Sequence, residues 1–155
     1  MIQAYLHGTI YKGGVASDDR GSVRFVNDFS FKDVKRFYQV ENVRAGFVRA
    51  WHGHMKEGKY VYVPKGTALI GVCPIFYEKN GQENIMPPEK FVLASSNPTV
   101  LWIPPGHANG VQTLTDDTIV MFFSTTSLEE STGDDYRFPW DLTSGHKEFW
   151  EEKFR

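Results

Sequence analysis

Across 155 residues, 17 Lys and Arg face 19 Asp and Glu for a formal net charge of −2, which argues against a general nucleic-acid binder with its basic contact face. A hydrophobic fraction of 41% with an aromatic fraction of 15% suffices for one compact core, and a single domain over 1–155 is expected. No run reaches the ~18 apolar residues that span a bilayer and no charged-then-apolar leader opens the chain, so no membrane partner and a cytoplasmic location are expected.

Short runs rich in Val, Ile, Tyr, Phe and Thr recur between Gly, Pro and Asn, a pattern that predicts an all-β sandwich or barrel. In chain order, strands are expected at 22–25, 37–40, 46–51, 59–63, 68–73, 99–103 and 118–124. Lys59–Val63 followed by Pro64-Lys65-Gly66 reads as strand, tight turn, strand. Helical turns are expected at 31–37 behind a Ser30 cap and at 88–92, because Pro88 suits a first helical position. A short helix over 143–154 closes the chain. Cys73, the lone cysteine, has no intrachain partner and reads as a buried small hydrophobe.

The stretch richest in chemistry is Gly46-Phe47-Val48-Arg49-Ala50-Trp51-His52-Gly53-His54. In a regular strand Arg49 opposes His52, while His52 and His54 share a face. Two imidazoles on a concave face are costly for structure alone. A bonded surface pair at a sheet edge is the plain alternative.

Gly46, His52, His54 and the later Gly66 together resemble the first motif of the cupin superfamily. Trp102-Ile103-Pro104-Pro105-Gly106-His107-Ala108-Asn109-Gly110 resembles the second. The resemblance implies a cupin fold, a double-sheet antiparallel β-barrel or jelly roll with short peripheral helices. From about Gly14 to Trp150 the chain is also similar to the sugar-nucleotide 3,5-epimerase family. Asp18-Asp19-Arg20-Gly21 resembles that family's Asp-Glu-Arg-Gly, whose Arg contacts a diphosphate. Phe37-Tyr38-Gln39 with Arg49-Ala50-Trp51-His52 resembles its Phe-Val-Gln and Arg-Gly-Leu-His, where the His is the catalytic base. Gly58-Lys59-Tyr60-Val61 resembles its Gly-Lys-Leu-Val, where the Lys lies near a keto oxygen, and Trp140-Asp141 stands at an acidic landmark.

What the resemblance implies is a cofactor-free and metal-free homodimer acting on a nucleoside-diphosphate keto-sugar. A hydrogen beside a ketone is a weak carbon acid, removable by a neutral imidazole when a cation holds the enolate oxygen. His52 is the expected base and Lys59 the expected cation, with Asp141 as the carboxylate behind the imidazole. Arg20 is expected on the diphosphate, because its fork makes two charge-assisted bonds. Tyr38, Gln39, Arg49, His54, His107 and Asn109 complete the expected substrate-binding set, and Phe25 or Tyr38 could stack on the base.

The chain also departs from the family. Ala108-Asn109-Gly110 stands where the family has Ala-His-Gly, His54 replaces a Gln, and Phe123 aligns with a proton-donating Tyr. The second proton source is thereby left open among water, Tyr38, Tyr60 and Tyr62, and inversion at C3 alone is favoured over C3 and C5. Three other readings stay open. The His52/His54 pair resembles that of the sugar-nucleotide 3,4-ketoisomerases, His52, His54, Glu57 and His107 could hold a metal, or the chain could bind a sugar nucleotide without turning it over.

Overall fold

The computed structural model describes residues 1–151. Its strands are β1 (Ile2–Ala4), β2 (Thr9–Lys12), β3 (Gly14–Asp18), β4 (Gly21–Phe25), β5 (Arg36–Glu41), β6 (Val48–His54), β7 (Lys59–Lys65), β8 (Thr67–Tyr77), β9 (Glu83–Ile85), β10 (Glu89–Ala94), β11 (Thr99–Ile103), β12 (His107–Thr113), β13 (Ile119–Ser124) and β14 (Tyr136–Arg137). Two short helices follow the barrel strands, α1 (Leu128–Thr132) and α2 (Ser144–Phe149).

All strand pairs are antiparallel; the β3–β4 hairpin stands apart and the others form two sheets. One runs β1-β2-β11-β7-β13-β5 and the other β10-β8-β12-β6-β14, with β9 added along β8. Neighbours distant in sequence alternate across both sheets, and this is the all-β double-sheet architecture expected of a cupin. The period-2 pattern of each strand decides what lies between the sheets. Val61 and Val63 of β7, Ile70 and Val72 of β8, Leu101 and Ile103 of β11, and Val120 and Phe122 of β13 meet there in one apolar core. The intervening residues of β7 and β13 (Tyr60, Tyr62, Met121, Phe123) therefore face outward.

The back of the second sheet carries a second core. Trp51, Leu69, Cys73, Ile75 and Ala108 are covered there by Phe138, Leu142, Phe149 and Trp150 of the C-terminal segment. The buried Trp51 donates its indole N–H to the Trp140 carbonyl at 3.3 Å. Between β7 and β8 the chain reverses at Gly66, whose φ of +76° suits glycine, as the strand–turn–strand reading required.

The helical expectations fared less well. Of residues 88–92, all but Pro88 form the start of β10, because pairing with β8 from Glu89 to Ala94 satisfies a backbone that a single helical turn would leave open. Residues 31–37 form an irregular segment that enters β5 at Arg36. The terminal helix spans only Ser144–Phe149, and 152–155 lie outside the described residues. The unforeseen α1 begins with a reciprocal capping box between Ser127 and Glu130. Among the described residues no helix is long and apolar enough to cross a membrane.

Candidate active site

Between the two sheets lies a cavity of about 430 Å³. The first sheet lines it with Arg36, Tyr38 and Val40 of β5, Lys59 of β7 and Phe122 of β13. The second sheet supplies Arg49, His52 and His54 of β6 with Asn109 and Val111 of β12. Glu57 from the β6–β7 turn, Leu128, Ser131 and Thr132 of α1, and Asp135 and Arg137 around β14 complete the wall.

Strict alternation cannot put both Arg49 and His52 in one cavity. A bulge does so. His52 pairs with Asn109 and Arg49 with Val111, so two residues of β6, Ala50 and Trp51, stand against Gly110 alone. The surplus residue brings Arg49, His52 and His54 to the same wall, where a regular strand would have set Arg49 on the opposite face. Only glycine fits opposite the bulge, since a Cβ on Gly110 would lie 2.6 Å from the Ala50 side chain and 2.8 Å from Trp150.

Glu57 is the hub of the buried polar groups. Its carboxylate, fully shielded from solvent, lies 2.9 Å from the Arg36 guanidinium, 3.0 Å from His54 Nε2 and 3.7 Å from the Lys59 ammonium. Ser124 and Ser131 also donate to it. Asp134 shapes the turn that carries Glu57, accepting the backbone N–H groups of Met55, Lys56 and Glu57 at 2.8, 2.8 and 3.2 Å. Lys59 in turn sits 3.1 Å from His54 Nδ1 and donates to Asn109 Oδ1 at 3.3 Å. Because a carboxylate and an ammonium flank it, His54 is the neutral Nε2–H tautomer, donating to Glu57 and accepting from Lys59.

These surroundings set the protonation states. Burial pushes His52 down to about 4, helped by the positive charges of Arg137 and Lys59 and partly opposed by Asp135. Burial likewise lowers Lys59 to about 8, with Glu57 opposing the shift. Near neutral pH the cavity thus holds a neutral imidazole at position 52 beside an ammonium at position 59. Burial raises the Tyr38 phenol well above its usual range, so it stays protonated. The Arg137 hydrogen bond holds Asp135 below the ordinary carboxylate range. A proton acceptor, a cation and a phenol in one sheltered space are the parts needed to make and quench an enolate.

The sequence profile described as dTDP-4-dehydrorhamnose 3,5-epimerase matches residues 8–141. The chain belongs to this family. It is also 27% identical over 145 residues to the spore coat polysaccharide biosynthesis protein SpsL of Bacillus subtilis (strain 168), covering 90% of this chain and 91% of that one. The dTDP-4-dehydrorhamnose 3,5-epimerase of Sulfolobus tokodaii superposes with a TM-score of 0.71 at 26% identity, over 92% of this chain and 84% of its own. ChmJ, a 3'-monoepimerase of Streptomyces bikiniensis solved with dTDP-quinovose, shares the fold with a TM-score of 0.68 at 17% identity, over 87% and 71%.

In this epimerase His52, Lys59, Tyr38, Arg49, His54 and Asn109 share the cavity. Four other residues singled out in the sequence do not line it. Arg20 is exposed in the β3–β4 turn, where its side chain is bonded to Asp18. Gln39 is on the outer face of β5, bonded to Glu41. His107 follows the Asn109 face of β12 but lies outside the cavity, donating from Nδ1 to the Pro105 carbonyl at 3.0 Å. Asp141 is exposed after Trp140, and the carboxylate whose charge acts on His52 is Asp135. The β13 aromatic that faces the cavity is Phe122, while Phe123 packs outside on Phe31 with ring centroids 4.6 Å apart. The β13 ring on the cavity wall is thus one position from the Phe123 singled out on sequence, and neither residue can donate a proton.

Four charged cavity residues escaped sequence reasoning as site groups, namely Arg36, Asp135, Arg137 and Glu57, the last considered only as a metal ligand. Arg137 reaches His52 through β14–β6 pairing across 85 positions, a relation with no local signal. The geometry also weighs against the rival readings. Both ring nitrogens of His54 are engaged, which leaves it no free site for a shuttled proton or a metal. Among the described residues no three His, Cys, Asp or Glu side chains are gathered as a metal would require.

Proposed function

We propose that this protein is a cytoplasmic epimerase that inverts C3 of a nucleoside-diphosphate-linked 4-keto sugar. The observation that carries the reading is the pairing, in one sheltered cavity, of an imidazole kept neutral with a buried ammonium. His52 takes the C3 hydrogen as a proton and the C–H electrons move into the C4 ketone. Lys59, oriented by His54 and Asn109, holds the resulting enolate oxygen. Arg36, Arg49 and Arg137 make the cavity wall cationic, which suits a diphosphate. The product is an activated sugar suited to surface polysaccharide assembly, the process named for the Bacillus relative.

The working unit on this reading is a homodimer. The β3–β4 hairpin joins neither sheet of its own chain and exposes Val15, Val23 and Phe25. Seated on a second copy, it would cover those apolar residues and bring Arg20, and Phe25 as a base-stacking group, toward the partner's cavity. Sedimentation of wild type against Val23→Asp tests this, with a dimer expected for the first and monomer for the second.

The reaction is tested with dTDP-4-keto-6-deoxyglucose in deuterated water. One solvent deuteron in the product, located at C3, is expected, and two would show that C5 is also turned over. His52→Asn should abolish incorporation while dTDP still raises the melting temperature as it does for wild type. A variant that keeps most of its rate would remove His52 from the base role.

A further inference from the structure

We propose that Tyr38 is the acid that delivers a proton to the enolate face opposite His52. This rests on the epimerase reading and supplies the half-reaction that reading leaves without a residue. Loss of a proton beside a ketone leaves a planar carbon. Inversion then requires a new C–H bond on the other face, from a group on the far wall that carries an exchangeable proton.

His52 projects from β6 in the second sheet, so the far wall belongs to the first sheet. That wall offers Arg36, Tyr38, Val40, Lys59 and Phe122. Val40 and Phe122 have no proton to give, and a guanidinium does not release one in a protein. Lys59 is bonded to His54 and Asn109 and serves the enolate oxygen. Tyr38 remains. Its phenol lines the cavity, and burial keeps it protonated.

The other tyrosines considered from sequence are excluded by strand parity. Tyr60 and Tyr62 alternate with the inward Lys59, Val61 and Val63 of β7. Tyr60 packs on Trp102 with ring centroids 4.5 Å apart, outside the barrel.

The position of Tyr38 also accounts for the odd β13. Phe122 and Tyr38 are cross-strand partners, their rings stacked at 5.1 Å with planes 8° apart. The family's Phe-Val-Gln segment has Val where this chain has Tyr38. Neither Phe122 nor Phe123 of β13 has a proton to give, and Tyr38 on the neighbouring β5 sets a phenol on the same wall of the cavity. The Arg36 guanidinium lies 5.3 Å from the Tyr38 ring centroid and supplies positive charge beside the phenolate that donation creates.

The step balances without a further reagent. The C3–H bond breaks to His52 and its electron pair enters the enolate. That pair then forms the new C3–H bond with the Tyr38 proton, and the Tyr38 O–H electrons stay on the phenolate. Imidazolium and phenolate are reset by exchange with water.

The test follows dTDP-4-keto-6-deoxyglucose in deuterated water by NMR and mass spectrometry. Tyr38→Phe should lose inversion by about 10²-fold or more while still placing deuterium at C3 with retained configuration, since His52 can return a solvent deuteron to the face it deprotonated. That retained exchange also shows that the variant is folded. Adding Phe122→Tyr to this variant should restore inversion. Inversion by Tyr38→Phe within a few-fold of wild type overturns the proposal, as does loss of exchange together with inversion. If wild type neither exchanges nor inverts, the epimerase reading itself falls and the proposal with it, an outcome distinct from the failure of Tyr38 alone.

Discussion

His54 gives its Nε2 hydrogen to the Glu57 carboxylate 3.0 Å away and thereby turns its Nδ1 lone pair toward the Lys59 ammonium 3.1 Å away. The ammonium proposed to hold the enolate oxygen is thus oriented through an imidazole by a carboxylate. Glu57→Ala should destabilise the fold by about 3–5 kcal/mol, because it leaves buried positive charge uncompensated. Urea denaturation of wild type and variant measures this. Glu57→Gln keeps the shape but removes the charge that opposes the lowering of Lys59, so Lys59 should lose its proton below about 8. The alkaline limb of the rate profile should move to lower pH accordingly.

The pH dependence of the wild type follows from the same two groups. His52 acts unprotonated, and with its proton affinity depressed to about 4 it stays available down through pH 5. Lys59 acts protonated and loses its charge as pH rises through about 8. kcat/KM of the free enzyme should therefore be level from about pH 5 to 7, rising into that range through about 4 and falling above about 8. An acid limb near 6.5 instead would mean that the cavity does not depress His52 in this way.

Arg137 pairs with His52 across the β14–β6 ladder and is the largest electrostatic contributor to its depression after burial. Arg137→Gln removes that repulsion and also releases Asp135, whose charge favours the imidazolium. The His52 titration, followed by NMR of its ring carbons, should shift upward from about 4 toward 6.5. The acid limb of the rate should follow it by the same amount.

Gly58 precedes Lys59, and a Cβ there would stand 2.1 Å from the Trp102 ring. Gly58→Ala should cost about 1–3 kcal/mol through overpacking, read as a lower melting temperature, and should lower kcat by displacing Lys59. Shrinking the neighbour with Trp102→Leu should recover part of the rate in the double variant, although the smaller side chain itself weakens packing.

Legibility followed the range of the forces involved. Strands such as β7 and β11 were readable because alternation is a local signal, and His52 and Lys59 were readable because their segments resemble family motifs. Arg20, Gln39 and Asp141 matched motifs equally well, yet lie outside their own chain's cavity, because a motif gives residue type without saying which way a strand faces or where a turn leads. The capping box at Ser127 and Glu130 was a missed local cue for α1. Residues 88–92 show the reverse case, a plausible local helix overridden by the β8 ladder. Asp135 and Arg137 became site residues only through contacts that close across dozens of positions.

The surplus residue in β6 has a consequence for how this chain tolerates change. A one-residue deletion between Arg49 and His52 would leave them two positions apart, so a regularly pleated strand would still set the guanidinium and both imidazoles on one wall. Its cost would fall on the back of the sheet, where Ala50 and Trp51 both pack against the second core and only one residue would remain. An added residue would be the graver change, because it would put the guanidinium and the imidazoles out of phase unless the bulge were lost with it. The polar wall is therefore phased by chain length at that point as well as by residue identity.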